Sequence, residues 1–452
     1  MPASETPLTP AQHLRAILVL GLPLIGSHLA QFAITATDAL MLGRYDVEAL
    51  AAEVLGGALF FIFFIMGSGF AWAVMPMVAT AAAGGEEAQV RRVTRMGVWI
   101  SAGFAIVTLP VFLLAESLLL MGGQEPHIAA LAQDYLGILG FGMLPALVVM
   151  VLKSYFAALE RTRIVLWVTL GAVALNVLGN YALIFGRLGF PEMGIRGAAI
   201  SSIAVHLVSM AGLVVYARVA TPEHALFQRL WRPDWEAFFR VFRLGWPIGL
   251  TNLAEVGLFA ASSVMMGWLG AVPLAAHGIA LQISSATFMV HVGLSNVATI
   301  RAGRALGRGS EQDLRRGAQV VTAVSMAMAL AAVVLFLTLP GSLIGLFLDA
   351  DEPQRAALIA AGTGMLAAAA LFQFADAAQV IALGLLRGVQ DTRVPLAIAA
   401  ISYWLVGAPS SYALGFGLGW GGVGVWLGLA CGLALAGVFM MSRFWLRSVR
   451  HL

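Results

Sequence analysis

Charge is what this chain has least of. Only 11% of its 452 residues are Asp, Glu, Lys or Arg, less than half the share of a typical soluble domain, while 60% are hydrophobic. That balance excludes a water-soluble globule and reads as an integral membrane protein. Cysteine is almost absent too. The single one, Cys431, lies in an apolar run, so neither a disulfide framework nor a cysteine metal site is available. No GxGxxG follows a strand-like run, and neither GxxxxGK[ST] nor HExxH occurs. No loop is long enough for a nucleotide-binding domain. An enzyme is therefore not expected, no cofactor is implied, and any transport has to draw on an ion gradient or a partner. Met1 to Gln12 has no basic run and no small-residue cleavage site, so no signal peptide is expected.

What is present is a series of long apolar stretches. Twelve reach the roughly 20 residues that cross a ~30 Å hydrocarbon core. They fall near 14–40, 50–80, 93–120, 130–153, 163–186, 195–217, 241–267, 275–300, 317–340, 355–384, 395–415 and 421–443. A membrane β-barrel would show short alternating segments instead. The expected fold is an all-α membrane protein of twelve transmembrane helices. The basic residues are sorted by side: of 26, only Arg44, Arg187, Arg196 and Arg355 fall on the face opposite the rest. By the positive-inside rule both termini are cytoplasmic. The same sorting accounts for the basic pI without nucleic acid as a partner.

The chain repeats itself. A shift of 224 residues places Leu20-Gly21 and Pro23 on Leu244-Gly245 and Pro247, Gly69 on Gly293, Gly85 on Gly309, and Arg91-Arg92 on Arg315-Arg316. Thr162-Arg163 meets Thr392-Arg393 after a small insertion. Two six-helix lobes that both start inside form a parallel repeat with pseudo-two-fold symmetry, a transporter architecture with its cavity between the halves. The expected domains are an N-terminal lobe, 1–219, a cytoplasmic linker, 220–236, which holds Pro222 and Pro233, and a C-terminal lobe, 237–452.

Three carboxylates stand inside these apolar stretches: Asp38, Glu255 and Asp376. Such a group costs at least ~2.5 kcal/mol in hydrocarbon, so it normally faces protein or an aqueous cavity. The repeat places Asp38 on Ser262, Glu255 on Gln31 and Asp376 on Ala146, so no acid has an acidic counterpart. A scaffold requirement would appear in both halves; asymmetric acids read as functional. Thr251, Glu255 and Ser262 share one helical face, with Asn252 beside it, and Gln373, Asp376 and Gln379 form a second polar stripe. Asn176 and Asn180, one turn apart, are candidate partners of Asp38. Carboxylate plus amide oxygens suit a hard cation, so Asp38, Asn180, Glu255 and Asp376 are the candidate Na+ ligands, and the alternative is a proton. For His277 and His291 no third ligand appears at metal spacing, and packing or hydrogen bonding is expected.

Several segments resemble the multidrug and toxic compound extrusion (MATE) family, with its NorM branch the nearest. They are Ala275-Ala276-His277-Gly278-Ile279-Ala280-Leu281-Gln282, Thr299-Ile300-Arg301-Ala302-Gly303-Arg304-Ala305-Leu306-Gly307, Asp376-Ala377-Ala378-Gln379-Val380, Leu386-Arg387-Gly388-Val389-Gln390-Asp391-Thr392-Arg393 and Gly422-Val423-Gly424-Val425-Trp426. The resemblance implies a monomeric antiporter that exports organic cations and amphipathic drugs in exchange for H+ or Na+, surrounded by membrane lipid. It also implies that Asp38, Glu255, Asp376, Asn176 and Asn180 fall at the family's functional positions, and it adds Gln282 to Gln373 and Gln379 as cavity residues. Some relatives carry a tyrosine one turn before the last of these acids; this chain has Phe372 there. The rival reading is a lipid-linked precursor flippase of the same superfamily, which would be expected to show a strongly cationic cavity.

Overall fold

The computed structural model describes residues 8–349 and 351–449; Arg450 and the chain ends lie outside these. Among the described residues there is no strand, and twelve helices are long and apolar enough to cross a membrane. They are α1 (Pro10–Tyr45), α2 (Val47–Ala83), α3 (Glu87–Leu113), α4 (Pro126–Ala158), α5 (Thr162–Ile184), α6 (Gly194–Ala220), α7 (Trp235–Leu269), α8 (Ala271–Arg308), α9 (Glu311–Thr338), α10 (Arg355–Gly388), α11 (Arg393–Gly417) and α12 (Gly421–Ser448). All twelve expected stretches thus become helices, most of them longer than their apolar core. The third differs at its end. Leu114 leaves helical backbone geometry, at φ −110 and ψ 17, so α3 stops there and Ala115–Met121 forms a separate short helix.

Sequence chemistry sets several boundaries. Asp46 begins α2 by accepting a 3.1 Å hydrogen bond from the Ala49 N–H, and Ser310 caps α9 through the Asp313 N–H. Gly85 and Gly309, equivalent in the repeat, follow α2 and α8 at φ +73 and +63. That left-handed conformation is where glycine costs least.

The chain divides into two compact units. One holds Met1–Ile25 and Leu250–Leu452, the other Gly26–Gly249. The units are not the two sequence halves expected from the repeat: each includes the first half of a helix from the other lobe. The boundaries obey the 224-residue offset. Close glycine approaches explain which half-helix goes where. In the unit of Gly26–Gly249, a Cβ on Gly69 would collide with the Gly249 backbone, so only glycine lets α2 and the first half of α7 meet. In the other unit, a Cβ on Gly293 would fall 2.9 Å from the Ile25 nitrogen of α1. The same repeat positions seat the same crossing in both.

Each crossing helix is also held at its start. Arg316 donates to the Leu8 carbonyl at 3.0 Å, and the Leu8 N–H donates to Asp313 at 3.0 Å. At the equivalent position Arg92 holds Asp234 and donates to Glu236 at 2.7 Å. The Arg92 guanidinium keeps the Asp234 carboxyl below the usual carboxylate range.

α11 departs from regular geometry. Pro409 has no N–H to give the carbonyl four residues back. Over Ile401–Gly407 the ladder slips to π turns, and the Ala408 N–H bonds to the Tyr403 carbonyl, five residues back. Such turns are frequent at functional sites.

Candidate functional site

The candidate residues gather in two places, one in each unit. In the unit of Gly26–Gly249, α1 carries Asp38 and α5 carries Asn176 and Asn180. Both asparagines are buried, and the i, i+4 spacing stacks their amides on one face. Asn176 donates to Asp38 Oδ1 at 2.8 Å and Asn180 to the same oxygen at 2.5 Å. The amide oxygens of both asparagines are buried without a partner. As arranged, the amides offer Asp38 donors; ligation of a cation by Asn180 would require its amide to turn over.

A fourth intramembrane carboxylate, not singled out from the sequence, belongs to this unit. Glu53 on α2 is buried, and it and Asp38 are the two charges that act on buried Tyr135 of α4. The signal was present in Ala51-Ala52-Glu53-Val54-Leu55, an acid with apolar flanks inside a predicted span. Asp46 and Glu48 lie a few residues before it, where charge is ordinary for a helix start.

The second place lies in the unit of Leu250–Leu452. Here α7 contributes Asn252 and Glu255, α10 contributes Gln373, Asp376 and Gln379, and α11 contributes Tyr403; all six are buried. Gln379 donates to the Tyr403 hydroxyl at 2.6 Å and lies within hydrogen-bonding reach of Glu255. Arg387, in the last turn of α10, donates to the side-chain Oδ1 of Asn252 at 2.7 Å and acts electrostatically on Glu255. From the basic-residue sorting alone, Arg387 reads as a surface residue; the structure turns it inward.

Carboxylate oxygens buried without a partner among the described residues distinguish this second place. Both carboxylate oxygens of Asp376, Oε1 of Glu255 and the amide oxygens of Gln373 and Gln379 are buried with no hydrogen-bond donor among the described residues. Buried polar atoms are nearly always paired, so five such oxygens within one helix cluster call for an occupant. Donors of this type suit a proton or a hard cation. Among the described residues no group of three or more His, Cys, Asp or Glu could hold a metal. Of the four candidate Na+ ligands, Asp38 and Asn180 belong to one unit and Glu255 and Asp376 to the other.

The remaining candidates are placed plainly. Gln282 is exposed, unlike the buried Gln373 and Gln379. Phe372 stands edge-on to Trp426 and Phe259, at centroid separations of 5.5 and 5.9 Å, and so belongs to an aromatic cluster. His277 hydrogen-bonds with Ser263 at 3.2 Å and packs on Trp426, and His291 pairs with Ser325 at 2.9 Å. Both act as hydrogen-bonded packing residues, in line with their spacing.

Comparison with known proteins adds the lineage. The chain is 45% identical over 434 residues to a probable multidrug resistance protein NorM of Agrobacterium fabrum, covering 96% of this chain and 93% of that one. It is equally similar, with the same coverage, to a protein of the same name from Rhizobium meliloti. Its fold is that of the eukaryotic MATE transporter AtDTX14, with a TM-score of 0.86 at 16% identity, covering 98% of this chain and 97% of that one. The MatE family matches residues 23–182 and 247–413, one segment in each half of the repeat. With both segments matched, and relatives of this identity over nearly its whole length, the chain belongs to the MatE family.

Proposed function

We propose that this protein is a cation-coupled antiporter of a bacterial inner membrane, with both termini cytoplasmic. It exports organic cations and amphipathic drugs by alternating access, in exchange for H+ or Na+. The observation that carries this reading is the set of unpartnered buried oxygens around Asp376 and Glu255. An acid buried without a partner is costly, so a proton or a cation stabilises it, and a cationic drug competes for the same negative charge. The coupling free energy is reciprocal: whatever the ion does to drug affinity, the drug does to ion affinity. The names of the two relatives, both probable multidrug resistance proteins, support drugs as the substrate class.

The test is drug efflux from proteoliposomes holding the purified chain, under separately imposed pH and sodium gradients. Efflux driven by at least one gradient is expected; efflux indifferent to both would overturn the reading. The flippase alternative has one observation in its favour. Lys153 of α4 acts electrostatically on His28 and His206 and so forms a basic group inside the unit of Gly26–Gly249. Translocation of an anionic lipid-linked sugar, without drug efflux, would favour it.

A further inference from the structure

Tyr403 has no role in the antiporter reading so far, yet it is a fully buried polar group near the acids. Its side chain is fully buried, and its hydroxyl accepts the 2.6 Å hydrogen bond from the Gln379 amide nitrogen. Gln379 Oε1 has no partner among the described residues, and Gln379 also acts on Glu255 as a hydrogen-bonding group. The amide nitrogen thus serves Tyr403 on α11, and the amide oxygen, one turn along α10 from Asp376, is left without a partner among the described residues. The charged groups that act on Tyr403 are Glu255 from α7 and Asp376 and Arg387 from α10.

Backbone geometry fixes where the hydroxyl sits. The π turn over Ile401–Gly407 gives Tyr403 a direction that a regular α11 would not. The helix is pressed against α12 at Gly407 and Gly432, where a Cβ on Gly432 would lie 2.7 Å from the Gly407 Cα. A side chain on either glycine would move α11, and the hydroxyl with it.

We propose that Tyr403 is a positioning residue of the ion site. Its hydroxyl fixes which way the Gln379 amide faces, so that Gln379, Glu255 and Asp376 present oxygens to the coupling ion. This rests on the antiporter reading and adds to it a residue that touches neither drug nor ion. Without the hydroxyl, the amide loses its anchor on α11 and the oxygen set loosens. Ion affinity, which depends on the aimed oxygens, falls more than drug affinity, which depends on the charge of Glu255 and Asp376 that the substitution keeps.

The test uses the full chain in proteoliposomes. Ethidium efflux is measured against a sodium series at fixed pH and a pH series without sodium, with ethidium affinity read separately by fluorescence. For Tyr403→Phe the concentration of the driving ion at half-maximal efflux should rise about three- to tenfold, the effect of one lost buried hydrogen bond. Maximal rate and ethidium affinity should stay within about twofold of the wild type. Should Tyr403→Phe not fold, Gly407→Ala decides by the same criteria, since its Cβ would meet the Gly432 Cα at 3.3 Å and shift α11 and the hydroxyl while the ion-site side chains stay in place. A lowered maximal rate with an unchanged half-saturation would mark a structural role and overturn the proposal. A wild-type half-saturation would overturn it as well. Asp376→Asn separates the two readings. If it abolishes the ion response while Tyr403→Phe is unchanged, only the positioning role fails; if it too behaves as wild type, the ion-site reading fails first.

Discussion

Asp38 and Asp376 are buried acids in two units built on one repeat, and they are treated in opposite ways. Asp38 receives two amide donors on a single oxygen, whereas neither oxygen of Asp376 receives any. Glu53 accompanies the first and Glu255 the second, so each unit pairs two carboxylates with a buried tyrosine, Tyr135 or Tyr403. The frames match and the hydrogen bonding does not. A carboxylate already supplied with donors has less to gain from an ion than one with none. Under the proposed function, the ion therefore acts most strongly at Asp376 and Glu255, and the Asp38 group is the more structural of the two.

The largest effect should come from breaking the unsupplied site. Asp376→Asn and Glu255→Gln keep shape and volume while removing the charge, and each should lower ion-driven efflux by about 100-fold or more, the scale of removing an essential acid–base group. Size-exclusion profiles should be unchanged, because among the described residues the Asp376 oxygens have no hydrogen bonds to lose. Wild-type efflux from both variants would break the comparison outright.

Stability should reverse the ranking. Asn180→Leu removes a donor from Asp38 and should cost about 1.5–3 kcal/mol, the range for a hydrogen bond to a charged group. Gln373→Leu removes an amide that bonds to nothing among the described residues, and should be neutral or stabilising. Thermal unfolding in detergent measures both. Equal losses would show that the two units are satisfied alike. Glu53→Gln should act between these extremes, lowering efflux by less than Asp376→Asn does.

Much of this contrast was legible in the residues. Twelve helices follow from twelve apolar runs, and the repeat follows from Pro23 with Pro247 and Arg91-Arg92 with Arg315-Arg316. The acids stand out because charge is rare around them. What escaped was anything that depends on which way a helix faces. Glu53 and Arg387 sit near helix ends, where a charged residue reads as surface. Tyr403 is one aromatic among many until the slip before Pro409 turns it toward Gln379. The exchange of half-helices between units was also hidden. It depends on close backbone approach at Gly69 and Gly293, and glycine is common throughout the chain. The sequence marks those positions as equivalent without saying which half-helix each receives.

The smallest effect concerns the same two units at the starts of their crossing helices. Arg92 meets two carboxylates, whereas its repeat partner Arg316 meets a backbone carbonyl. Arg92→Ala should cost about 1 kcal/mol at neutral pH, the upper end for a pair about one-third exposed. Asp234 is held below its ordinary range, so its contribution is complete above the unfolded carboxylate value near ~4. It is lost as pH falls through the lowered folded value. The difference between wild type and Arg92→Ala should therefore shrink on acidification. Arg316→Ala removes a bond to a group that does not titrate, so its direct cost should change little over the same range. Unfolding midpoints at neutral pH and near pH ~3 make the comparison. Two parallel pH profiles would mean that Asp234 adds nothing beyond what a carbonyl supplies, and that the two starts are held alike despite their different chemistry.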